Sequence, residues 1–388
     1  MPVQFRYLFN LLSLSVLSLT SYSQKQFHAT IVFDSSIDTR NILLQYYNGK
    51  NTIDITDTFV NHTIIVKGNF FSEKLPLTIL QKENQQTTHQ ETIFLTTQPA
   101  HIHIRKSEAH STPIWAYPKL VNAQPVLDTN YNPLYKGLLE FRKAEATAVA
   151  ELWEKNGDKV MTNDSLDKLH TKLFKALNRR ITLYLKAHAQ DYFSFWYFKE
   201  QIISPAISFI RKDSRYFNEL TADFKNTFPA RFTQSIEGEN LLKELSLYTN
   251  PPLKEGDTIP AFAIKGINGA LVNSRSHKSR FMLIDFWQTW CGPCLQEIPL
   301  IIELKEKYSS DTLEVVSITT EPNYEKMTSF IKKYKMDWIH IWDQDNQLRF
   351  LLTVNTYPTK ILIDNKGIIR YLKLGSGYAE ALSQIIGN

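Results

Sequence analysis

Cys291 and Cys294 are the only thiols in this 388-residue chain, and they stand three apart. Two thiols so spaced can close into a tight disulfide and open again, with no third thiol to compete. Two other uses are weaker. A C-x-x-C zinc half-site needs a second ligand pair, and no other cysteine exists. A bracing disulfide that closes so short a loop constrains the unfolded chain very little. Residues 281–290 read as a buried apolar strand and a short turn, and the pair then opens a helix. Reversible redox exchange is the chemistry this setting favours.

The elements around the pair divide its work. At the start of a helix, the sulfur of Cys291 faces unpaired backbone N–H groups and the positive end of the helix dipole. Both favour the thiolate, which is the attacking form, so Cys291 is the expected nucleophile. Cys294, one turn in and less accessible, is expected to resolve the mixed disulfide. Pro293 suits a first helical turn, where its missing N–H costs nothing. Trp290 either covers one side of the site or packs in the core. Asp285 is an acid in an apolar strand, six residues before Cys291; a solvated strand end is the alternative. Glu297 lies one helical turn beyond Cys294, and could equally be an exposed helix glutamate. Pro299, inside the helix, predicts a kink.

The length predicts roughly two to three domains. A net charge of +5 with no dense Lys/Arg block gives nucleic-acid binding no support. At the N-terminus, Arg6, an apolar run over 8–19 and the small residues Ser21 and Ser23 read as a cleavable secretory leader, cut after Ser23. The run is short for a bilayer span, although a retained anchor is the alternative, and no later segment is apolar enough to cross. The mature chain is therefore expected in the periplasm or elsewhere outside the cytoplasm, where disulfides persist.

Residues 24–105 form a β-rich domain by their pattern, with strands at 28–33, 42–47, 62–67, 77–80 and 92–95 in an antiparallel sandwich or barrel. His101 and His103 share one strand face, a conceivable but incomplete metal pair. Residues 106–128 hold Pro113, Pro118 and Pro125 and predict a surface linker. From 129 to 248 the period turns helical: Leu166, Leu169, Leu173, Leu177, Ile181 and Leu185 make one stripe. Breaks are expected at Pro205 and Pro229, and the aromatic run 192–198 reads as helix packing rather than a ligand surface. Residues 249–388 alternate strands (262–265, 281–286, 313–318, 360–363, 368–374) with helices (291–308, 324–334, 378–386), and the last two strands make a hairpin.

Residues 254–388 resemble the TlpA/ResA-like branch of the thioredoxin superfamily. The resemblance rests on the lead-in Gly256-Asp257-Thr258-Ile259-Pro260-Ala261-Phe262, on Trp290-Cys291-Gly292-Pro293-Cys294 with Glu297 and Pro299 after it, and on Tyr357-Pro358-Thr359. A strand-rich domain and a helical domain ahead of such a module are similar to secreted multidomain relatives from Bacteroidetes. The resemblance implies a multidomain chain: an N-terminal all-β domain, a helical middle domain and a C-terminal α/β thioredoxin fold. It implies that Asp285 is a buried carboxylate beneath the second cysteine, that Glu297 tunes the thiols, and that Pro358 is cis against the disulfide. Tyr357 would then offer its backbone to a bound peptide. The expected function is a thiol–disulfide oxidoreductase that needs no cofactor and trades two electrons with cysteines of partner proteins. Gly292-Pro293 resembles reducing thioredoxins, which implies a reductase recharged by a membrane thiol donor. One rival is a binding or scaffold protein with an auxiliary redox domain. The other is a thiol peroxidase, against which Gln288 stands where that pattern has threonine, with Thr289 one place off.

Overall fold

The computed structural model describes residues 23–83, 86–107, 115–210, 213–375 and 379–387. The expected leader, apart from Ser23, lies outside them.

Two sheets face each other at the N-terminal end. One runs in the order Thr63–Phe70, Lys25–Phe33, Ala100–Lys106, Trp115–Val121. The other runs Thr52–Ile55, Ile42–Tyr47, Leu75–Glu83, Gln86–Leu95, Ala123–Pro125. Alternation along Lys25–Phe33 turns Phe27, Ala29, Ile31 and Phe33 inward, onto Leu44, Leu77, Ile79 and Ile93 of the facing sheet. Lys25–Phe33 pairs in parallel with Ala100–Lys106, so the sandwich is mixed rather than antiparallel throughout. His101 and His103 alternate with the core residues Ile102 and Ile104 and face away from the sandwich interior.

The linker expected over 106–128 is corrected by two strands, Trp115–Val121 and Ala123–Pro125. Each is an outermost strand of its sheet. An edge strand tolerates proline because one side of its backbone needs no ladder bond. Pro118 is exposed, opposite the register shift between His103 and Arg105.

The helical region begins at Pro133–Phe141, and its longest member is Asp164–Ala187. The break expected at Pro205 is absent. Helix Tyr192–Tyr197 passes through a π-helical stretch, Phe198–Ile203, straight into Ser204–Ile210. A widened turn accommodates a proline that would otherwise clash with the carbonyl four residues back. The break at Pro229 is present, between Ser214–Thr227 and Ala230–Thr233. The aromatic run 192–198 is buried at the centre of this domain's core, where Phe94 of the sandwich reaches Tyr192 and Trp196.

The C-terminal sheet runs Ile339–Trp342, Leu313–Thr319, Phe281–Phe286, Thr359–Asp364, Ile369–Leu374. The first three strands are parallel and the last two antiparallel. Every residue of Phe281–Phe286 is buried, as a strand covered on both faces must be. Helices Gly292–Lys307, Tyr324–Lys333 and Ala379–Gly387 are on one side, and the lead-in around Ile259 with helix Gln347–Leu351 on the other. The chain is thus multidomain, ending in a thioredoxin-like α/β unit. The strand expected at 262–265 is present as Ala263–Lys265, but the alternation reading missed its partner Leu271–Asn273, strand Ile339–Trp342 and helix Gln347–Leu351.

Candidate redox site

Cys291 caps helix Gly292–Lys307 in extended backbone geometry, and Pro293 lies in the first turn. Its Sγ accepts a hydrogen bond from the Cys294 backbone N–H at 3.2 Å, so the sulfur does meet an orphan donor of the helix start. The two cysteines form a disulfide. The expected difference in accessibility is absent in this oxidised state: both are buried, at 4% and 3% exposure. Trp290 stands out from the surface at 67% exposure, with its ring edge-on to Tyr357 at 6.0 Å. The Tyr357–Pro358 peptide is cis, and the Tyr357 hydroxyl lies 3.2 Å from Thr320 Oγ1. Pro299 lies inside the helix, which continues past it.

Beneath the disulfide a polar row crosses the sheet. His340, Ser317, Asp285 and Lys360 occupy paired positions on four adjacent strands. Asp285 and Lys360 share their strand faces with Leu283 and Leu362, which pack with Cys291 and Cys294. The row is therefore on the side of the cysteine-bearing helix. Lys360 Nζ is 2.6 Å from Asp285 Oδ1 and 2.9 Å from Glu297 Oε2, and all three side chains are buried. Ser317 Oγ donates to Asp285 Oδ2 at 2.7 Å and accepts from Trp338 Nε1 at 2.8 Å. His340 stacks on Trp338, and burial pushes its imidazole below the ordinary range although Asp285 pulls the other way.

The structure thus brings Asp285 and Glu297 together through a residue that sequence reasoning missed. The signal for Lys360 was the one used for Asp285: a charge on the inward face of an otherwise apolar strand. One lysine thus bridges two buried carboxyl groups, and burial of all three is tolerable because each is paired. Neighbouring polar residues are also engaged. Gln288 bonds Thr320 at 2.5 Å and Thr319 at 3.2 Å, and Thr289 donates to the buried carboxylate of Glu321.

A disulfide-forming cysteine pair at a helix start, over a buried carboxylate on a five-stranded sheet, is the arrangement of a thioredoxin-like thiol–disulfide oxidoreductase. Comparison with known proteins agrees. The Redoxin family matches residues 254–385. Sporulation thiol-disulfide oxidoreductase A of Bacillus subtilis is 30% identical over 130 residues, 32% of this chain and 78% of that protein. A thiol-disulfide oxidoreductase ResA of Bacillus cereus is 26% identical over 127 residues, 33% of this chain and 73% of that protein. The crystal structure of a putative thiol:disulfide interchange protein DsbE from Chlorobium tepidum is 29% identical, covering 34% of this chain and 96% of that one, with a TM-score of 0.32. The chain belongs to the ResA-like family of thiol–disulfide oxidoreductases through its C-terminal third.

Proposed function

We propose that the protein works outside the cytoplasm as a reductase of disulfides in client proteins, recharged by a membrane thiol donor. The observation that carries this reading is the lone cysteine pair, seated at a helix start above the Asp285–Lys360–Glu297 cluster. The N-terminal leader pattern and the reducing-type Gly292-Pro293 dipeptide support location and direction.

In the first step the Cys291 thiolate attacks one sulfur of a client disulfide. A Cys291–client bond forms, the client S–S bond breaks, and the departing client sulfur takes a proton. Cys294 then gives its proton to Asp285 and attacks Cys291 Sγ. The 291–294 disulfide forms, and the second client sulfur leaves as a thiolate and is protonated. The client gains two electrons from the cysteine pair and two protons, one passed on from Asp285 and one from solvent that matches the proton Cys291 released on ionising; two thiols of the donor restore the pair.

Cys291→Ser should abolish reduction of insulin in the presence of dithiothreitol, whereas Cys294→Ser should accumulate reducible covalent adducts with clients in the native host. Wild-type turnover by Cys291→Ser would remove the assignment. A reduction potential for the pair near that of strong oxidants would reverse the direction.

A further inference from the structure

A cleft of about 650 Å³ opens beside the disulfide, with Trp290 and Tyr357 on one wall. Its other wall belongs to the helical domain: Ile207, Ser208, Glu244 and Tyr248. That wall is fixed in place. Arg349, from helix Gln347–Leu351 of the redox unit, grips Glu244 through two bonds of 2.6 and 2.8 Å. The pair is mostly shielded from water, so salt screens it little. Beside it, Phe350 packs against the helical core.

We infer that the helical domain selects the clients of the redox site, and that the cleft receives an extended, cysteine-bearing segment of an unfolded client chain. This inference rests on the proposed exchange with client proteins. Trp290, next to Cys291, and Tyr357, before the cis proline, both line the cleft, so a chain lying in it meets the residues that flank the disulfide. A rigid wall facing Trp290 denies the site to a broad folded surface, while a volume of this size encloses only a few side chains. The lining also suits a peptide: aromatic rings and Ile207 meet apolar side chains, and Ser208 and Glu244 meet backbone N–H groups. Preorganisation by Arg349 spares the ordering cost of binding.

The test compares full-length wild type with Ser208→Trp and Ile207→Ala. Ser208 is exposed, so tryptophan there fills the cleft without entering the core. The substrates are a linear decapeptide carrying a central cysteine as a mixed disulfide with glutathione, and oxidised glutathione. Ser208→Trp should lower the ratio of peptide to glutathione turnover at least tenfold. Ile207→Ala, which trims the wall and some packing against the helical core, should raise KM for the peptide about threefold and leave kcat near wild type. An unchanged ratio in both variants overturns the inference, as does a parallel loss on both substrates. Failure of the wild type on the peptide alone also overturns the inference, whereas failure on both substrates would instead strike the oxidoreductase reading itself.

Discussion

Lys360 is the residue on which the site's electrostatics turn. Its ammonium is the shared partner of Asp285 and Glu297, with all three out of water. Removing one member of a buried ionic cluster leaves the others uncompensated, at about 3–5 kcal/mol. Lys360→Met should therefore lower stability by roughly that amount in denaturant unfolding and slow exchange as well. The triple change Lys360→Met, Asp285→Asn, Glu297→Gln removes every charge and should recover most of the stability, because neutral groups of similar shape need no counterion. If Asp285 takes the proton of Cys294 as proposed, exchange should stay slow in it. A triple variant that regains both stability and resolution rate would confine the cluster to packing. Asp285→Asn alone should slow the second step more than the first, as separated by stopped-flow measurement on a preformed mixed disulfide.

The elements carrying this cluster were read from sequence with unequal success, for physical reasons. Strand Phe281–Phe286 and helix Gly292–Lys307 were visible because a continuous apolar run met a proline-led helix start. Strand Ile339–Trp342 was hidden because only four residues pair, and they alternate no more regularly than a loop does. The strand Trp115–Val121 was mistaken for linker because proline excludes a central strand but not an edge one. Asp285 was legible as an acid in an apolar strand and Glu297 by its place one helical turn beyond Cys294, but that Lys360 joins the two depended on strand register, which local pattern does not fix. Asn163 Oδ1 accepts from the backbone N–H groups of Ser165 and Leu166 at 3.0 and 3.2 Å, opening helix Asp164–Ala187. Asn163→Ala should cost about 1 kcal/mol, measured as a lower denaturant midpoint with insulin reduction unchanged. No loss of stability would mean that solvent caps this helix equally well.

The three regions are joined by polar contacts at their seams, and one seam carries a pH dependence for the whole molecule. Glu91, on the sandwich strand Gln86–Leu95, is buried where the chain turns toward the helical domain at Asp128. Burial, and after it the nearby Asp128, push its carboxyl up to about 7. His89 lies 3.9 Å away, too far for a hydrogen bond, and burial lowers its own affinity for a proton. Tyr117 and Tyr135, which also face Glu91, are pushed upward by burial and carry no charge near neutrality. The folded chain therefore holds a proton that the unfolded chain releases at an ordinary glutamate pKa. Stability from this group is complete below about 4.5 and is lost as pH rises through about 7. The loss is on the order of 3 kcal/mol. Glu91→Gln keeps the shape and removes the titration. Denaturant unfolding at a series of pH values should show wild type and variant converging near pH 4. The variant should pull ahead by that amount at pH 8, with the midpoint of the difference between the two limits. Parallel curves would show that Glu91 is ionised in the folded protein, with a cation or water network compensating it at the seam.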